Sequence, residues 1–161
     1  MKVRVSILAT ALRILTIVFL LGISGTNQAD CAESFRISTL TIASGAAQHR
    51  FRVEIAETSR QRALGLQGRK AMAADQGMLF DFESVHPVTM WMKNTYLSLD
   101  MFFISENGTI INIARDTEPL SLGYINSAGP AKAVLEVRAG TARRLGIRAG
   151  DKVIHEMFEN Q

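Results

Sequence analysis

Seven side chains stand where packing alone does not account for them: Arg69, Trp91, Lys93, Asn94, Thr95, Asp100 and Glu136. Five fall in residues 89–108, TMWMKNTYLSLDMFFISENG, which also hold the only Trp of the chain. Asp100 is set between Leu99 and Met101, and Glu136 between Leu135 and Val137. A carboxylate at such an apolar position is costly unless a cation or backbone donors meet it. Lys93 and Arg69 are the available cations, so Asp100–Lys93 and Glu136–Arg69 pairs would serve as structural locks. The same residues can instead line a polar pocket, with Trp91 as a flat platform.

Four functions follow from these residue types. A binding domain would set Trp91 against a small polar ligand, such as a sugar or cell-envelope fragment, and orient it with the polar side chains. A glycosidase-like hydrolase would use the two carboxylates as acid and base, provided their separation allowed it. A Cu(I) site would draw on His86, Met90 and Met92 beside Trp91, because thioether ligands select Cu(I) and an aromatic face can sit against a cation. Met90 and Met92 serve equally well as adaptable core filler. A protein-interaction domain would need no small-molecule site. The sequence contains no serine nucleophile elbow, metalloprotease helix or phosphate loop, and no cofactor is implied.

The elements that must position these residues are short. Residues 34–42 and 49–55 alternate apolar and polar side chains, with Phe51, Val53 and Ile55 on one face, as in an antiparallel hairpin with one wet side. Thr58 or Ser59 can cap a helix running to about Leu66, with Ala63, Leu64 and Leu66 as its buried side. Residues 77–82 read as a buried strand, 83–87 as a turn and 88–94 as a second strand. Strand alternation would then put Trp91, Lys93 and Thr95 on one face. Residues 97–105 pair with 109–114 across Asn107-Gly108, the strongest hairpin signal in the chain. Residues 116–130 form a long loop, 131–137 a strand and 142–145 a short helix. A Gly-Asp turn at 150–151 leads into a last strand. His49 and His155 read as surface residues. This is a mainly β (α+β) pattern: a small closed or partly open β-barrel of short antiparallel strands with two short helices.

The start of the chain carries Lys2, Arg4 and Arg13, then the apolar residues 14–23, then small and polar residues. That order describes a signal peptide over residues 1–32, cleaved between Gly25 and Ala32, with a retained N-terminal anchor as the alternative. The mature domain is residues 33–161, exported to the periplasm or cell envelope and free of the membrane after cleavage. Asp30 and Gln28 do not suit lipidation of Cys31, and a single Cys excludes an intrachain disulfide. Of 18 Lys+Arg and 15 Asp+Glu, the signal region takes three and one, leaving a net charge of +1. This is not the footprint of a nucleic-acid binder. The expected partner is a small polar ligand or an envelope protein.

Several pieces together resemble the domain of unknown function 192 family. They are Gly65-Leu66 with Arg69, Gly77-Met78-Leu79-Phe80, Trp91-Met92-Lys93-Asn94-Thr95, Leu99-Asp100-Met101, Leu135-Glu136-Val137 with Gly140, and Gly146 with Gly150-Asp151. They extend over about residues 51–153. The chain departs from the family pattern at Gln67, where Met is usual, and at Ser98, where Pro is usual. The resemblance implies one β-rich domain, often exported or membrane-tethered, and implies no activity.

Overall fold

A computed structural model describes residues 33–158. The stretch expected to be a signal peptide, residues 1–32 with Cys31, lies outside the described residues. Seven strands form one sheet: β1 (Arg36–Ser44), β2 (Ala47–Ala56), β3 (Gln76–Met90), β4 (Leu99–Ile104), β5 (Ile110–Ala114), β6 (Ile125–Arg138) and β7 (Lys152–Ile154). The helices are α1 (Ser59–Leu64) and α2 (Thr141–Leu145), and a 3₁₀ turn spans Glu156–Phe158. Strand order is β5-β4-β6-β3-β2-β1-β7. Among the described residues no helix is long and apolar enough to cross a membrane.

The sheet curls into a half-barrel because its two edges meet at one end. The Val153 amide donates to the Gly108 carbonyl at 2.8 Å, and the Ile110 amide to the Asp151 carbonyl at 2.9 Å. Gly108 adopts φ +80°, and a Cβ there would lie 2.5 Å from the Val153 carbonyl oxygen, so only glycine allows this closure. The neighbouring Gly-Asp turn is held as its sequence suggests, with Asp151 Oδ2 accepting from the Arg148 amide at 2.8 Å.

Alternation along the strands divides the core in two. Every strand contributes to an interior cluster that includes Leu40, Phe51, Val53, Ile55, Leu79, Phe102, Leu135 and Val153. Met78, Phe80, Leu99, Met101, Phe103 and Val134 form a second cluster on the outer face of β3, β4 and β6. Leu66 and Met92, from connecting segments, cover it. Strands buried on both faces account for the unbroken apolar runs in β3, β4 and β6.

The mainly β, barrel-like class holds, while several details differ from the sequence reading. β2 and β3 pair in parallel, because α1 and its following loop carry the chain over between them. Residues 83–87 do not end a strand. β3 continues through them with register shifts between Asp81 and His86 and between Pro87 and Thr89, so the extra residues bulge. β6 begins at Ile125, shortening the long loop. The Asn107-Gly108 hairpin forms with a loop longer than two residues, in which the Ser105 amide donates to the Thr109 carbonyl at 2.9 Å. The last strand stops at Ile154. His155 is buried, with Nε2 2.9 Å from Ser38 Oγ, rather than on the surface.

Candidate functional site

Residues 91–95 are a turn and not a strand. β3 ends at Met90, and Asn94 takes φ +55°. Asn tolerates the left-handed region better than other non-glycine residues. The turn is held by main-chain bonds: the Thr95 amide to the Met92 carbonyl at 3.0 Å, and the Met92 amide to the Ser121 carbonyl at 3.1 Å. Strand alternation therefore does not set these side chains. The turn points Met92 inward, fully buried, where its Sδ receives the Thr117 hydroxyl at 3.3 Å. Trp91 remains 48% exposed, and the Lys93 ammonium lies 5.4 Å from its ring centroid.

Asn94 ties this turn to the loop after α1. Its carbonyl accepts from the Gly68 amide at 3.0 Å, and its Nδ2 donates to Gln67 Oε1 at 3.1 Å. Gln67, one of the two family departures, is thus part of the site's construction. Helix α1 starts with a capping box, in which Thr58 Oγ1 accepts from the Gln61 amide and Gln61 Oε1 from the Thr58 amide. Ala63 and Leu64, expected as the helix's buried side, are exposed; only Leu66, beyond the helix, is buried.

Between the α1 segment, β3 and the turn lies a pocket of about 270 Å³. Leu64, Phe80, Phe82, Met90 and Trp91 supply its apolar wall, and Arg62, Gln67, Thr89, Lys93 and Thr95 its polar positions. Glu136 also lines it. This residue is only 4% exposed, and no hydrogen bond or ion pair reaches its carboxyl from the described residues. Its strand neighbours are Met78 on β3 and Met101 on β4. Gly77 lets the β3 backbone approach: a Cβ there would stand 2.5 Å from the Glu136 carbonyl oxygen. Burial pushes the Glu136 carboxyl up to about 8. At neutral pH it is a neutral acid that can donate a hydrogen bond into the pocket.

Asp100 has a different fate. It is fully buried, with Oδ1 accepting from the amides of Asp116 (3.0 Å) and Gly140 (3.2 Å) and Oδ2 from that of Ala142 (2.8 Å). The expected partner Lys93 is not used: three backbone donors offset the charge and tie α2 to the loop after β5. In the sheet Asp100 pairs with Val137, whereas Glu136 pairs with Met101. Val137 belongs to the interior cluster and Met101 to the outer one, so the two carboxylates point to opposite faces. They form no acid/base pair. Arg69 is also separate from Glu136. It makes a two-pronged bond with Glu54 at 2.6 and 2.5 Å, which raises the guanidinium further above its ordinary range.

The sulfur-and-histidine set is not gathered around one point. Met92 is buried against Thr117, whereas Met90 lines the pocket. His86 is exposed, with Nδ1 2.8 Å from the Pro87 carbonyl oxygen and its ring edge-on to Phe82. It lies four residues before Met90 on β3, roughly 13 Å of extended backbone. The pocket thus unites Trp91, Lys93, Thr95 and Glu136, with Asn94 supporting it from outside. Sequence reasoning missed Arg62, Leu64, Phe80, Phe82 and Thr89. Leu64 carried a usable signal, as a large apolar residue on a two-turn helix ending in Gly65.

Residues 40–155 match the family model DUF192, described as an uncharacterized ACR. A structure of a "putative transcription regulator" from Sinorhizobium meliloti 1021 is 44% identical, with a TM-score of 0.74 over 76% of this chain and 95% of that one. A protein of unknown function from Novosphingobium aromaticivorans DSM 12444 is 36% identical, with a TM-score of 0.75 over 78% of this chain and 89% of that one. Curated proteins gave no match.

Proposed function

Because the chain belongs to the DUF192 family, a name that assigns no activity, we propose its function from the pocket itself: non-catalytic binding of a small ligand, such as a sugar or cell-envelope fragment, after export. The observation that carries this reading is Glu136, a carboxyl without a partner among the described residues, on the wall of a pocket that also presents the Trp91 face. Its oxygens keep access only through the pocket, so a ligand entering there is the group placed to hydrogen-bond with them. Aromatic walls with a few placed polar groups are the usual make-up of ligand sites. The separation of Asp100 from Glu136 onto opposite faces favours binding over a two-carboxylate hydrolysis. The basic start and apolar run of residues 1–32 support export.

The test is thermal unfolding of the protein against a panel of sugars and peptidoglycan fragments. A ligand that binds only the folded state raises the midpoint. The expected result is a shift that both Trp91→Ala and Glu136→Leu, which removes the polar group, reduce. Shifts that survive both substitutions would place binding elsewhere and overturn the reading, as would a flat response to the whole panel.

A further inference from the structure

The charges around the pocket narrow the ligand class, and this step rests on the binding role proposed above. Arg62, Lys93 and Glu136 are the ionisable side chains in its lining. Arg62 is already engaged, donating to the carbonyls of Glu57 (2.6 Å) and Asp81 (2.7 Å) and to Glu83 Oε1 (3.0 Å). Lys93 has only the Trp91 face and no ion pair among the described residues. The strand partners of Glu136 on β3 and β4, Met78 and Met101, carry no charge, and neither does Phe80 beside it in the pocket lining. Only α1 and the 91–95 turn therefore bring charge to it, and both bring cations.

We infer that the pocket takes a small organic monocarboxylate with an apolar body. Its carboxylate accepts the Glu136 O–H and faces the Lys93 ammonium, while its body lies against Phe80, Phe82 and Trp91. The charge balance supports this class. A ligand anion and the neutral Glu136 carboxyl share one proton and one negative charge, which the Lys93 charge compensates. An ammonium ligand would instead add a second positive charge beside Lys93 and require Glu136 to ionise. Bonds between a carboxyl O–H and a carboxylate are short and about twice as strong as neutral ones. Size sets the upper limit. A cavity of about 150 Å³ holds benzene, so about 270 Å³ holds one ring and a carboxyl-bearing substituent.

The experiment is calorimetric titration of the protein with phenylacetate, benzylamine and benzyl alcohol at pH ~6.5 and ~9.5. Phenylacetate is expected to bind at the lower pH and to weaken about thirtyfold at the higher one, as Glu136 loses its proton. Lys93→Met should weaken it at least about tenfold at the lower pH. Glu136→Gln keeps a donor without titrating, so it should abolish the pH dependence while retaining binding. If benzylamine binds more tightly than phenylacetate and gains with pH, the carboxylate inference falls and the pocket reading stands. Binding of benzyl alcohol alone, lost in Trp91→Ala, has the same meaning. Silence from all three probes, together with a flat sugar panel, sinks both.

Discussion

Replacing Glu136 with Gln should stabilise the protein by an amount that grows with pH. The carboxyl titrates near 4.5 in the unfolded chain and at about 8 in the fold, because burial disfavours its charged form. Below pH 4.5 both states hold the proton and nothing is lost. Between 4.5 and about 8 the unfolded chain has released it while the folded chain has not, so raising the pH favours unfolding. Above about 8 both states are ionised and the loss levels off. Each pH unit within the window removes about 1.4 kcal/mol, so about 3 kcal/mol is gone at pH ~7 and about 5 at pH ~9. Gln has nearly the same shape and no titration. Urea unfolding of both proteins at pH ~4, ~7 and ~9 should therefore show a difference rising from near zero to about 3 and then about 5 kcal/mol. The same difference at all three pH values would refute the buried neutral acid. A Gln variant less stable than the parent at pH ~9 would do so as well. Against a typical total of about 5–15 kcal/mol the expected gain is large.

Asp100→Ala should lower stability by about 3–5 kcal/mol, since it strands three buried amides on α2 and the preceding loops; a loss below about 1 kcal/mol in the same urea assay would contradict its anchoring role. Trp91→Ala should change stability by less than about 1 kcal/mol, because the ring is half exposed, yet remove ligand-dependent thermal shifts. Arg69→Met should cost about 1 kcal/mol, as its ion pair with Glu54 is partly exposed, and leave phenylacetate titrations unaltered. Asn94→Ala strains a left-handed backbone position and cuts the link to Gln67, so thermal melts should fall by a few degrees, about 1–2 kcal/mol, and binding should weaken with them.

Local pattern carried much of this molecule. Period-two alternation in residues 49–55 placed Phe51, Val53 and Ile55 in the interior, because a strand with one wet face writes its burial into the sequence. Cap and turn chemistry likewise located the start of α1 at Thr58 or Ser59, of which Thr58 is the cap, the Asn107-Gly108 hairpin and the Asp151 turn, since each depends on bonds between residues close in sequence. Asp100 and Glu136 stood out as polar residues in apolar strands, and both are buried. Their roles were decided only by the tertiary structure. Which carboxylate meets donors depends on what the sheet register brings beside it: for Asp100 the amides of Asp116, Gly140 and Ala142, for Glu136 an open pocket. The pocket walls come from α1, β3, β6 and the turn after β3, segments up to some seventy residues apart. No local periodicity encodes such a meeting, because it is set by long-range packing and by a left-handed turn at Asn94 that ended strand alternation where the sequence still read as strand.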